Sequence, residues 1–181
     1  MLSFLGKKKL SAEQVSKQFI ANLVQVTEDG FKELAGLINS DPAFVRSPEV
    51  DEHHSQPFLF IVLAANFKFL PTYFKDRQTD VYIKQHSMSY LNELFEESID
   101  FESEIKTMQT TMSRLNMPSK NTLYAMPKAL FDAYKLNEFQ KEYFKNLNTP
   151  DPTFLKRMDE LMPHFIWNWD DLLKKYKITQ H

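Results

Sequence analysis

The sequence predicts an all-α fold, a single-domain helical bundle or globular helical array of about seven to nine helices. Its 181 residues include only three glycines, no cysteines and sixteen phenylalanines. This composition suits helices around a bulky aromatic core, because tight hairpins usually need glycine. Apolar residues recur at helical spacing along most of the chain, and no useful stretch shows the period of two that indicates a strand.

Residues 1–10 are expected to form a flexible tail, and residues 11–181 are expected to form one domain. A capping box of Ser11 and Gln14 begins the first helix, in front of a stripe of apolar residues. The stripe continues beyond Gly30 in a new phase, so the segment 27–30 predicts a restart of this helix.

Prolines predict where the next helices begin and end. Asp41-Pro42 and Ser47-Pro48 each resemble an N-cap followed by a proline at the first helical position, which predicts two short helices. The segment 57–70 should be the most apolar helix, with a proline at each end. Its apolar run of about 13 residues is shorter than the roughly 20 that span a bilayer, so we expect it near the centre of the core.

The second half of the chain predicts several more helices. One should run from Thr79 to Glu97, and a strongly amphipathic one should run from Phe101 until Pro118 ends it. A helix over the following residues should kink or break at Pro127. The last helical region should begin at Asp151-Pro152, with an interruption at a further proline.

The composition excludes several kinds of chemistry. A chain without cysteine has no disulfide, no zinc site with thiolate ligands and no cysteine nucleophile. The scattered glycines cannot form a phosphate-binding loop. A formal net charge of −2 disfavours a general nucleic-acid surface. We expect a soluble, cytoplasmic protein without a transmembrane segment, and the sequence identifies no cofactor.

The segment from Pro163 to Asp170 is denser in aromatic residues than one buried helical stripe requires. Trp167 and Trp169 would lie about 200° apart on a helix, so one of them is expected to be exposed or to line a groove. With His164 and Phe165 they form the candidate surface for a protein partner or a small ligand. The leading hypothesis is therefore a non-enzymatic interaction or ligand-binding module, and homo-oligomerisation remains open.

An alternative hypothesis is a metal-dependent or acid–base enzyme. If a helix began at Pro48, Glu49, Glu52 and His53 would share one face, with His54 beside them. Carboxylates and imidazoles at that spacing can bind a transition metal or transfer protons. On the helix expected after Thr79, His86 with Tyr90 is a second candidate for proton transfer.

A further alternative is a DNA-binding regulator with a degenerate helix-turn-helix near residues 108–126. The run Ser119–Tyr124 resembles the recognition-helix segment of TetR-type repressors, with Met112–Leu115 as the preceding helix and Asn116–Pro118 as the turn. The turn lacks the glycine usual in that family, and the motif lies in mid-chain. Four basic residues occur between residues 105 and 130 without an acidic one: Lys106, Arg114, Lys120 and Lys128.

Overall fold

The computed structural model describes residues 6–95 and 99–180. This part of the chain is mostly helical, which confirms the predicted all-α class. Short 3₁₀ turns cover Leu70–Thr72, Leu136–Phe139 and Met162–Phe165. The α-helices in chain order are α1 (Ala12–Asn39), α2 (Gln56–Phe69), α3 (Arg77–Leu94), α4 (Phe101–Asn116), α5 (Thr122–Ala133), α6 (Glu142–Leu147), α7 (Pro152–Leu161) and α8 (Trp169–Lys175).

Helix α1 is one continuous helix of 28 residues, so the predicted restart at residues 27–30 is wrong. Its capping box is present as predicted. The Ser11 side chain accepts from the backbone N–H of Gln14, and the Gln14 side chain accepts from the backbone N–H of Ser11. Gly30 lies inside the helix, and an aromatic ring packs directly against it. A Cβ atom on Gly30 would lie only 2.8 Å from Cε1 of Phe165. The glycine therefore permits a close approach and does not end a helix.

Helix α2 lies at the centre of the core, as its composition predicts. It contacts α1, α4 and α5, and nearly all of its residues from Phe58 to Phe67 are buried. A helix that is apolar on all sides must be surrounded by other elements to be stable in water. None of the described helices combines the length and the apolar character that crossing a membrane requires.

The two helices predicted to begin at Asp41-Pro42 and Ser47-Pro48 do not form, and this segment is a loop. Side chains form hydrogen bonds with backbone groups that would otherwise pair with one another in a helix. Asp41 accepts a bond from the backbone of Ala43 at 2.9 Å, and Asn39 binds both backbone groups of Val50. Such local side-chain bonds compete with helix formation.

Helices α3 to α5 follow the predicted boundaries closely. Helix α3 begins after an Asp76 cap and ends at Leu94, before the predicted end at Glu97, which itself lies outside the described residues. Helix α4 ends at Asn116, two residues before Pro118. Pro127 lies inside α5 without ending it, so the expected break does not occur there.

A two-stranded parallel sheet joins the two ends of the described chain. Strand β1 (Lys8–Ser11) pairs with β2 (Tyr176–Thr179), and Leu10 is opposite Ile178. Residues 8–10 of the predicted flexible tail thus have a backbone partner, while residues 1–5 lie outside the described residues. Each strand has only four residues, and the two strands lie more than 160 positions apart in the sequence. They are too short to show a clear period-two pattern.

The two glycines of α1 offer a matched test of this packing. We expect Gly36→Ala to raise the free energy of unfolding by about 0.5–1 kcal/mol, because nothing lies within 4 Å of its Cβ position and alanine favours helix. Gly30→Ala should instead lower it by about 1 kcal/mol or more, since the buried Phe165 ring would have to move. Denaturant unfolding of both variants measures the difference. Equal stabilisation by the two substitutions would contradict the close approach.

Candidate functional site

The aromatic segment near the C-terminus folds into the core instead of forming one helix. The 3₁₀ turn Met162–Phe165 is followed by extended backbone at Ile166, and α8 starts only at Trp169. The helical angle expected between Trp167 and Trp169 therefore does not apply. Trp169 is 1% exposed, and its ring centroid lies 5.0 Å from that of Phe19. Trp169 is thus a core residue that a partner cannot reach.

Trp167 is half-buried and packs on the same phenylalanine of α1. Its ring centroid lies 6.0 Å from that of Phe19 and 6.1 Å from that of Trp169. The exposed part of Trp167 lines a shallow groove with Asn168 and Leu172. Of the two tryptophans, only Trp167 therefore contributes to a surface.

Asn66 of α2 fixes the position of this segment, and sequence reasoning did not identify it. Its side chain is buried, and Nδ2 donates to the backbone carbonyl of Phe165 at 2.9 Å. Its Oδ1 accepts from the backbone N–H of Trp167 at 2.9 Å. The sequence did contain a signal for this role, since Asn66 is a lone asparagine within an apolar run. A buried amide needs hydrogen-bond partners.

His164 and Phe165 line a groove that extends along one side of α1. This α1 groove has a volume of about 600 Å³. The residues that α1 contributes recur every three or four positions, which places them on one helical face. The groove is lined by Asn22, Gln25, Val26, Asp29, Gly30, Glu33, Leu34, Leu37, Leu161, His164 and Phe165.

The α1 groove combines an apolar floor with an acidic rim. Leu37 is 43% exposed at one end, and the buried Phe165 ring lies in the middle. Asp29 and Glu33 stand one helical turn apart, and Asp29 accepts a bond from Gln25 at 2.8 Å. No lysine or arginine belongs to the described lining. The groove therefore favours a ligand that is both apolar and positively charged.

The α1 groove continues toward the C-terminal end of the chain. Asn22 lines both this groove and the shallow groove beside Trp167, so the two meet at that residue. The second groove ends near Tyr176, where β2 begins. The two sequence-predicted residues that remain accessible, His164 and Trp167, thus lie on adjoining parts of one surface.

The cluster at residues 49–54 does not form the predicted helical face. Glu49 has a φ of 54°, in the left-handed region, so no helix begins at Pro48 and the joint face of Glu49, Glu52 and His53 is wrong. His53 has a side chain that is 85% exposed and lies 3.5 Å from Glu52. Among the described residues, no three histidine or acidic side chains are arranged to hold a metal ion.

His54 has a structural role in the same loop. The hydroxyl of Tyr134 donates to the backbone carbonyl of His54 at 2.6 Å, and the two rings make an edge contact at 5.8 Å. Burial raises the pKa of Tyr134, so its hydroxyl stays protonated as a donor. This bond ties the loop before α2 to the end of α5.

His86 and Tyr90 are half-buried on α3, near its contact with α1. The pKa of Glu13 on α1 is lowered mainly by its hydrogen bond and ion pair with Lys17, and to a smaller extent by the charge of His86. Within residues 6–95 and 99–180, no hydrogen bond, ion pair or ring contact joins His86 to residues 49–54. The structure therefore does not link the two candidate catalytic groups.

The predicted helix-turn-helix segment forms two packed helices, but the second is largely buried. Helices α4 and α5 are joined by residues 117–121. The buried residues of α5 are Ala125, Met126, Pro127, Ala129, Leu130 and Phe131. A recognition helix must place its side chains against base edges. Few side chains of α5 are free to do so, and Lys128 already donates to Asn116 at 2.8 Å.

Comparisons with protein-family models, with curated proteins and with solved structures found no match to this chain. The likeness to TetR-type repressors therefore rests on the run Ser119–Tyr124 alone. The functional argument depends on the geometry and charge of the grooves.

Replacing Asn66 tests whether its amide holds the aromatic segment in place. We expect Asn66→Ala to lower the free energy of unfolding by about 2–4 kcal/mol, because it leaves one buried and one partly buried backbone group without their partner. Asn92→Ala, at an exposed position on α3, is the control and should change it by less than about 0.5 kcal/mol. Chemical denaturation gives both values. An unchanged unfolding midpoint for Asn66→Ala would contradict this role.

Proposed function

We propose that the protein is a non-enzymatic interaction module whose α1 groove binds a basic amphipathic helix of a partner protein. The observation that carries this proposal is the long apolar groove with acidic residues on its rim and no cation in its described lining. We place the interaction in the cytoplasm, because a chain without cysteine suits a reducing compartment.

The length of the groove supports an elongated ligand. Its lining residues on α1 extend from Asn22 to Leu37, which corresponds to about 22 Å along the helix axis. An extended apolar trough of this kind suits an amphipathic helix that inserts residues at positions i, i+3 or i+4, and i+7. The exposed side chain of Leu37 and the partly buried side chains of Val26 and Leu161 are the apolar surfaces on which such a helix would pack.

The charges determine which amphipathic helix fits. Asp29 and Glu33 are four residues apart, so lysine or arginine side chains at the same spacing on a partner helix would face them. Exposed ion pairs each contribute only about 0.2–1 kcal/mol. The affinity should therefore come mainly from apolar burial, while the carboxylates select basic partners over acidic ones.

Selection from a phage-displayed library of random peptides tests the proposal without a known partner. The peptides should have about 16 residues, enough for a helix that covers the groove. We expect the enriched peptides to share apolar residues at helical spacing and to carry a net positive charge. Fluorescence anisotropy of a labelled, enriched peptide then gives its affinity for the protein and its variants.

Variants of α1 locate the binding site. Leu37→Asp should weaken binding of the enriched peptide about ten-fold, since it removes apolar contact area and adds a charge. Asp29→Asn combined with Glu33→Gln should weaken it about three- to ten-fold. Glu28→Gln is the matched control, because Glu28 is exposed on α1 outside the groove lining. Enrichment of acidic peptides, or binding that Leu37→Asp leaves unchanged, would contradict the proposal.

A further inference from the structure

We infer that a second cavity, between α2, α4 and α5, binds a small phosphorylated molecule with two or more negative charges. This α4–α5 cavity has a volume of about 740 Å³. It is lined by the C-terminal part of α2, the last two turns of α4, the turn that follows and the start of α5. None of its lining residues belongs to the α1 groove, so the inference is independent of the proposed function.

The lining of the α4–α5 cavity is positively charged. Lys68, Arg114 and Lys120 belong to it, and no aspartate or glutamate does. Within the described residues, none of these three cations forms an ion pair, whereas Arg157 on α7 binds Asp41 at 2.6 Å. All three side chains are exposed, and a bound anion would give them the counter-charge that the lining lacks.

Helix electrostatics explains part of this arrangement. Lys68 lies in the last turn of α2 and Arg114 in the last turn of α4, where cations interact favourably with the helix dipole. The dipole does not explain Lys120, which lies in the turn between helices. Thr122, the first residue of the 12-residue helix α5, also lines the cavity, so the positive end of this helix lies beside it.

The turn that carries Lys120 is held in place by Asn116. This asparagine is buried, and its Nδ2 donates to the backbone carbonyl of Asn121 at 2.8 Å. Its Oδ1 accepts from Nζ of Lys128 at 2.8 Å. The hydroxyl groups of Ser113 and Thr122 in the lining add donors for phosphoryl oxygens. The cavity therefore offers cations and hydroxyl donors around a turn whose backbone Asn116 holds in place.

The apolar part of the lining indicates that the ligand is an organic phosphate. Met112 and Pro118 line the cavity, and Met117 beside them is 75% exposed. A ligand with an apolar or planar group attached to its phosphates would cover this exposed side chain. Inorganic phosphate alone would leave it in water.

Isothermal titration calorimetry with ADP, inorganic pyrophosphate and adenosine tests the ligand class. At low salt we expect ADP to bind with one-to-one stoichiometry, pyrophosphate to bind about ten-fold more weakly, and adenosine to show no measurable binding. Equal affinity for pyrophosphate and ADP would overturn the assignment to an organic phosphate. The absence of saturable binding by both would overturn the site.

Charge-reversal variants test whether ADP binds in the α4–α5 cavity. Arg114→Glu and Lys120→Glu should each weaken ADP binding about ten-fold, and melting curves should confirm that both variants fold. Lys106→Glu is the matched control, because Lys106 is exposed on α4 outside the cavity lining. Equal weakening by all three variants would overturn a specific site. Tighter binding of a short DNA duplex, lost in the same two variants, would assign the cavity to nucleic acid instead.

Discussion

The buried amide of Asn66 is the interaction on which the C-terminal part of the structure depends. The segment from 166 to 168, between the 3₁₀ turn and α8, is not helical, so the backbone groups in it and next to it cannot all satisfy one another within a helix. Asn66 supplies partners for two of them from the centre of the most apolar helix, α2. With these bonds made, the rings of Phe165 and Trp169 can be buried against Phe58 and Phe19. The aromatic packing buries apolar surface, and the amide determines where the rings are placed.

The ring of Phe165 connects the core to the proposed binding surface. Phe165 packs edge-on against Phe58 inside the core, with 4.8 Å between the ring centroids. Its outer edge lies against the backbone of α1 at Gly30, where it forms part of the α1 groove. A side chain at position 30 would separate the segment from α1 and change the shape of the groove floor. Core packing and groove shape are therefore determined together, and variants of the groove must avoid Gly30 and Phe165 to report on binding alone.

Much of the fold could be predicted from the sequence, because local signals determine it. The capping box at Ser11 and the apolar run of α2 are encoded in adjacent residues, and both are confirmed. The loop at 40–55 could not be predicted, because its conformation depends partly on distant partners such as Arg157, which binds Asp41. For the site, the aromatic segment was a useful signal for His164 and Trp167. One of the two tryptophans, Trp167, lines a groove as expected, but the helix assumed there does not form, and Trp169 lies in the core instead of on the candidate surface.

Although the formal net charge is only −2, the protein has two surfaces of opposite local charge. The α1 groove has Asp29 and Glu33 without a cation, and the α4–α5 cavity has three cations without a carboxylate. A symmetric contact in which either surface meets its own copy would bring like charges together. Contact between the groove of one copy and the cavity of another would instead pair opposite charges, either twice in a two-fold dimer or head-to-tail in a ring or open chain. Neither surface is complementary to itself, and this disfavours a symmetric contact through either surface alone.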